Sequence, residues 1–143
     1  MAEYMDEALS EVPGVRVLKR HPWHTTRSFY QYIFSIDPQI FKAKHEVISK
    51  ALEKEEIPCD MGYLAMHHYS LFQPNFSMLP VPYAFPEYFN FSKMNFPVAE
   101  QACEEEAIWL DESIFRSNQK GIDDVILALN KILANADELV ELS

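Results

Sequence analysis

His67, His68 and Tyr69 form the densest cluster of side chains able to do chemistry, with Tyr63 and Gln73 close by in sequence. Imidazole can ligate a metal, move a proton or hydrogen-bond a hydroxylated ligand. Adjacent residues of an extended chain point to opposite sides, so the two histidines are not expected to share one metal. The chain has no His-x-x-x-His pair and no Cys-x-x-Cys, so no metal site is expected. Two uses stay open for this cluster: contact with a ligand through one histidine, or a hydrogen-bonded structural role.

The other reactive residues are weaker pointers. Cys59 lies eight positions before His67, a spacing open to a Cys–His nucleophile or to an inert thiol acting as a small buried hydrophobe. Glu104, Glu105 and Glu106 diverge around a helix axis and read as a solvated face. Arg27 beside Ser28 offers a charge for a carboxylate or phosphate. The glycines stand at 14, 62 and 121, and none belongs to a Gly-rich phosphate loop. No residue is nominated as catalytic.

The elements that must position these groups are legible from periodicity. Tyr4, Met5, Ala8, Leu9 and Val12 form a helical stripe that Pro13-Gly14 ends. Val15–Leu18 predicts a short strand. Phe29–Ile36 predicts the strongest one, with Tyr30, Tyr32, Phe34 and Ile36 on one face and Gln31 and Ser35 on the other. Asp37-Pro38 then opens a helix carried by Ile40, Phe41, Val47, Ile48, Ala51 and Leu52, which should stop near Glu56 because Ile57 precedes Pro58. Val98–Ala107 predicts a helix and Ile108-Trp109-Leu110 a buried strand. A last helix carries Ile122, Val125, Ile126, Leu129, Ile132, Leu133, Ala136 and Val140, with Asp123 and Asp124 in its first turn.

Between these elements, residues 69–96 hold nine of the 19 aromatics and four of the nine prolines, with only Glu87 and Lys93 charged. Prolines break both periodicities, while aromatic content argues against disorder, so the segment reads as an irregular loop that packs on something. The whole pattern predicts one α/β (α+β) domain over residues 1–143: a two-layer sandwich with three or four strands and helices on one face.

A net charge of -10 lacks the basic footprint that nucleic acid or an anionic membrane requires. Two cysteines, and an acidic start unlike a signal peptide, predict a reduced, cytoplasmic protein.

The order of motifs is more specific than any one of them. Val12-Pro13-Gly14-Val15 precedes Thr26-Arg27-Ser28-Phe29-Tyr30-Gln31-Tyr32; then come Leu52-Glu53-Lys54-Glu55-Glu56-Ile57-Pro58 and Gly62-Tyr63 with His67. Asn95-Phe96-Pro97-Val98-Ala99-Glu100, Ile108-Trp109-Leu110 and the run from Gly121 to Ile132 follow. This succession resembles the C-terminal part of the DegT, DnrJ and StrS family of sugar aminotransferases.

The resemblance implies the small lobe of an aspartate-aminotransferase-type fold. It also implies amino transfer to a keto sugar, often nucleotide-linked, with relatives that act on cyclitols or make aminohydroxybenzoate. The pyridoxal phosphate of such enzymes is held by a lysine in a large N-terminal domain, and they work as dimers. This chain is therefore expected to need a partner domain or subunit carrying that lysine, and to be inactive alone. By the same resemblance Tyr63, His67 and His68 are substrate-contact candidates, in the loop after a strand that includes Gly62-Tyr63. The usual proline-leucine-histidine run reads Leu64-Ala65-Met66-His67 here. The alternative is a free-standing, non-catalytic interaction module derived from the same lobe.

Overall fold

The computed structural model describes residues 1–139. Helix α1, Ala2–Ser10, leads into strand β1, Val15–Val17. Strand β2, Gln31–Ile36, is followed by α2, Pro38–Phe41, and α3, His45–Lys54. Strand β3 is the two residues Cys59–Asp60. After the aromatic segment with its short helix α4, Pro80–Ala84, come α5, Pro97–Gln101, and β4, Ala107–Asp111. Helices α6, Asn118–Ala134, and α7, Ala136–Leu139, complete the described chain, and Val140 of the expected apolar stripe lies outside it.

The four strands form one antiparallel sheet in the order β1-β2-β4-β3. Its register follows from side-chain alternation: Tyr32 faces Leu110 and Phe34 faces Ile108, so the buried members of both strands meet on one face. Helices α1, α3 and α6 cover that face through Met5 and Leu9, Ile48 and Leu52, and Ile122, Val125, Leu129 and Ile132. This is the expected α/β two-layer sandwich, with four strands. No helix among the described residues is long and apolar enough to cross a membrane.

Several local expectations are corrected. The helix predicted from Pro38 to Glu56 is broken at Lys42, which adopts a left-handed conformation with φ 56°. The chain restarts at His45, whose buried ring donates from Nδ1 to the Ala107 carbonyl at 2.8 Å and ties α3 to β4. Tyr30 precedes β2 and is exposed rather than facing the core. The last helix begins a turn earlier than predicted, so Asp123 and Asp124 sit in its second turn; Asp123 accepts from the Tyr4 hydroxyl at 2.6 Å instead of serving the helix start. The strand expected to include Gly62-Tyr63 ends at Asp60, whose carboxylate accepts the Gly62 N–H. The helix over residues 98–107 is α-helical to Gln101 and continues as a wider π turn, Ala102–Glu106, so that Ala107 already belongs to the strand.

The end of α3 shows how a terminus is closed without glycine. Ile57 N–H reaches back to the Leu52 carbonyl and Glu56 N–H to the Glu53 carbonyl, both at 3.0 Å, with Glu56 left-handed at φ 64°. The buried Ile57 side chain anchors this closure. Left-handed backbone is costly for any residue with a Cβ. Glu56→Gly should therefore raise stability by about 0.5–1 kcal/mol in urea unfolding, less than the full strain because glycine also frees the unfolded chain. A variant less stable than the parent would refute this account.

Cys59 pairs with Leu110 on the sheet edge, and its Sγ lies 3.5 Å from Ser49 Oγ. Burial pushes its thiol up, outweighing the lowering effect of the Ser49 hydrogen bond. A raised thiol holds less thiolate at any given pH, the reverse of an activated nucleophile. Alkylation of Cys59 at pH 8, followed by peptide mapping, should be at least about tenfold slower in the folded chain than in urea. Equal rates would restore the Cys–His reading.

Candidate functional site

Alternation in β4 sends Ile108 and Leu110 into the helix-covered core and Trp109 to the opposite face of the sheet. That face carries the site. Gly62 lies flat against the Trp109 indole with φ +71°, and a Cβ there would collide with the ring. Tyr63 follows and stands edge-on to Trp109, with ring centroids 5.1 Å apart. A glycine at 62 thus lets the chain approach the indole closely enough to deliver Tyr63 onto it.

The chain then turns. Residues Met66–His68 form a single 3-10 turn, held by His68 N–H to the Ala65 carbonyl and by Gln73 Nε2 to the His67 carbonyl, both at 2.9 Å. Tyr69 Oη accepts from the Leu64 N–H at 3.2 Å. Tyr69 and Gln73, grouped with the histidines on sequence grounds, therefore brace the turn. The turn also overrides the expectation that His67 and His68 point apart: their ring centroids lie 4.1 Å from each other.

Both rings meet carboxylates from the α5 segment. His67 Nε2–H donates to Glu100 Oε1 at 2.9 Å, and His68 Nε2 lies 3.2 Å from Glu104 Oε1. Glu100 belongs to α5 and Glu104 to the π turn that follows it. The His67 side chain is only 12 % exposed, packed against Phe96 at 4.7 Å between ring centroids, whereas His68 is 44 % exposed at the rim.

Beside this cluster lies a cavity of about 470 Å³ whose walls are almost wholly apolar. Tyr63, His67, Phe91, Phe96, Cys103 and Trp109 are among its lining residues. Two of the three predicted contact residues, Tyr63 and His67, thus line one cavity; His68 sits outside it, paired with Glu104. Sequence reading missed Phe96, Trp109, Glu100 and Glu104. Trp109 was assigned to a buried strand and the glutamates to a helix, and only the sheet's second face brings them to the histidines.

The remaining reactive residues are engaged elsewhere. Arg27 pairs with Asp6 and stacks over Phe29 at 5.2 Å, while Asp6 also accepts from the buried Tyr32 hydroxyl. Burial and this hydrogen bond push the Tyr32 phenol well up, so the group is a fixed donor. Glu106, expected on a solvated face, is buried and takes Arg16 at 2.7 Å. Glu105 pairs with Lys44 and holds that amine above its usual range.

These facts bear on the pyridoxal phosphate that the resemblance implies. A Schiff-base lysine needs a shielded amine that can lose its proton. Every lysine of this chain is exposed, and Lys42, Lys44, Lys50, Lys120 and Lys131 are paired with carboxylates. The lysines present do not fit that role.

Known proteins resemble this chain in sequence and in fold. The family model described as the DegT/DnrJ/EryC1/StrS aminotransferase family matches residues 1–114. Two relatives carry the provisional name L-glutamine:3-amino-2,3-dideoxy-scyllo-inosose aminotransferase. The one from Streptomyces kanamyceticus is 26% identical across 99% of this chain and 35% of its own length. The one from Micromonospora echinospora is 27% identical across 97% of this chain and 34% of its own length. The chain thus spans about a third of the curated relatives it matches. A crystal structure of 3-amino-5-hydroxybenzoic acid synthase shares the fold with a TM-score of 0.64 over 93% of this chain and 32% of that one, at 11% identity. The four-stranded sandwich, the order of its motifs and the extent of the match place this chain in the DegT/DnrJ/EryC1/StrS aminotransferase family.

Proposed function

We propose that this sequence supplies the substrate-side lobe of an aminotransferase acting on a polyhydroxylated ring ketone, a keto sugar or a cyclitol. The lysine that binds pyridoxal phosphate comes from polypeptide outside these residues. The observation that carries this reading is the cavity on the open sheet face. It sets the rings of Phe96 and Trp109 beside those of Tyr63 and His67 in an almost wholly apolar wall. Aromatic rings accept the C–H faces of a ring substrate while a few placed polar groups orient its hydroxyls. The cyclitol named for the two relatives is the nearest chemical guide to that substrate. The chain's own contribution is binding, orientation and exclusion of water. Its cytoplasmic setting, its single-domain organisation and its work in a dimer belong to the same reading.

A second reading has its own support. Phe76, Met78, Tyr83 and Tyr88 are 76%, 95%, 78% and 69% exposed, so these side chains of the aromatic segment do not pack within the chain. A patch of this kind suits a protein interface. A lobe that only binds a partner would use it without turnover.

The purified chain, used as bait in extracts of its source cells, separates the two. The first reading expects capture of a polypeptide carrying a borohydride-reducible pyridoxal adduct, and an amino group moved from L-glutamine to a ring ketone by the pair. Tyr63→Phe should then raise the KM about three- to tenfold, the worth of one lost neutral hydrogen bond, with kcat little changed. A pyridoxal adduct in stoichiometric amount on the chain itself would overturn the first reading. Capture of proteins without the cofactor would favour the second.

A further inference from the structure

The side chains at the two ends of the aromatic segment form a constellation of which the proposed substrate cavity uses only His67. His67 and His68 stand immediately before it, and Glu100 and Glu104 immediately after it. One ligand atom from each of His67, His68 and Glu100 lies within 4.8 Å of the others. Glu104 adds a fourth donor, 3.2 Å from His68 Nε2.

We propose that these residues form a binding site for a late first-row divalent cation, with Zn2+ the fitting member. Two imidazoles and one or two carboxylates make a borderline donor set that favours zinc over the hard cations calcium and magnesium. Donors around a tetrahedral zinc sit about 3.3–3.5 Å apart at metal–ligand distances near 2.0–2.1 Å. Closing from 4.8 Å to that spacing takes about 1.4 Å of side-chain movement, which the half-exposed His68 can supply. His67 is already fixed by Phe96 and by the backbone bond from Gln73, so one ligand is preorganised.

The protons balance simply. The Nε2–H of His67 that now bridges to Glu100 leaves for Nδ1 or for solvent, and the cation takes its place between the same two atoms. The neighbouring apolar cavity lowers the dielectric on one side of the cluster and strengthens the bond to a divalent charge.

The consequence is a clip. The segment between the two histidines and the two glutamates has little apolar packing of its own, with Phe76, Met78, Tyr83 and Tyr88 all outward. A cation bound at both stems would close this loop and restrict its conformations. The inference rests on ligand geometry alone and stands whether or not the lobe serves a transaminase.

The test is equilibrium titration of the metal-free chain with Zn2+ against a chelating dye, beside chymotrypsin digestion with and without the metal. One Zn2+ per chain is expected, together with slower cleavage within residues 69–96. His67→Ala and Glu100→Gln should each weaken binding at least roughly tenfold, since even loss of a supporting residue costs that much. Mutating the other close histidine pair, His21→Ala with His24→Ala, should leave the affinity unchanged. Circular dichroism checks folding, and Glu100→Gln and His68→Asn, both near the surface, carry the test if His67→Ala does not fold. Affinity indifferent to Glu100→Gln and His68→Asn, binding that disappears with Cys59→Ser and Cys103→Ser, or no saturable binding would each overturn the proposal.

Discussion

Strand β4 is the constraint on which the rest of this molecule depends. Its neighbours in the chain sense are irrelevant to its role; its alternation is not. Ile108 and Leu110 close the core against Phe34 and Tyr32, and the same pleat turns Trp109 to the opposite face. A one-residue slip would exchange the two, placing an indole among the packed helices and two aliphatic side chains in the cavity. Core and site are thus the two faces of one five-residue strand, and neither can be repositioned alone. Gly62 extends the constraint, because only a residue without Cβ can lie on the indole at that distance.

Polar groups that would otherwise be stranded are settled by long-range pairs. The His45 ring caps the Ala107 carbonyl where the π turn gives way to β4. Arg16 covers the buried Glu106, and Gln101 donates to the same carboxylate. Tyr32, Arg27 and Asp6 form a third group, joining β2 to α1. Each of these contacts fixes a junction between elements rather than strengthening one element, which is where unpaired polar groups would cost most. Among the described residues no buried side-chain nitrogen or oxygen lacks a partner.

How much of this was legible in the sequence depends on the range of the force concerned. Strand β2 was legible because Tyr32, Phe34 and Ile36 recur at every second position with Gln31 and Ser35 on the other face, a local record of a two-sided environment. The stop of α3 after Lys54 was legible to within two residues from Pro58. The break at Lys42 was not, because Phe41 and Ile48 are both core residues and leave the apolar stripe unbroken across it. His67 and His68 illustrate the same limit. Their identity drew attention to this part of the chain, yet the turn that sets them side by side is fixed by Gln73 and Ala65. Glu100, the carboxylate partner of His67, lies 33 positions away in the chain. Glu106 misled because one helical face was assumed where a π turn rotates the residue inward.

The aromatic segment separates two requirements that most loops meet together. Its backbone is largely self-sufficient: successive tight turns pair Phe72 with Tyr69, Gln73 with Ser70, Ser77 with Gln73 and Phe85 with Val81. Several of its apolar side chains, Met78 and Tyr83 among them, stay exposed instead. Backbone order without side-chain burial is a preorganised surface. A ligand or protein that covers these rings gains apolar contact without bearing the full cost of folding the loop beneath them. Under the proposed function, in which further polypeptide completes the site, conserving that cost lets the shape exist before the second piece arrives. The same logic explains why His67, at the root of the segment, is packed while His68 and the rings beyond it are left open.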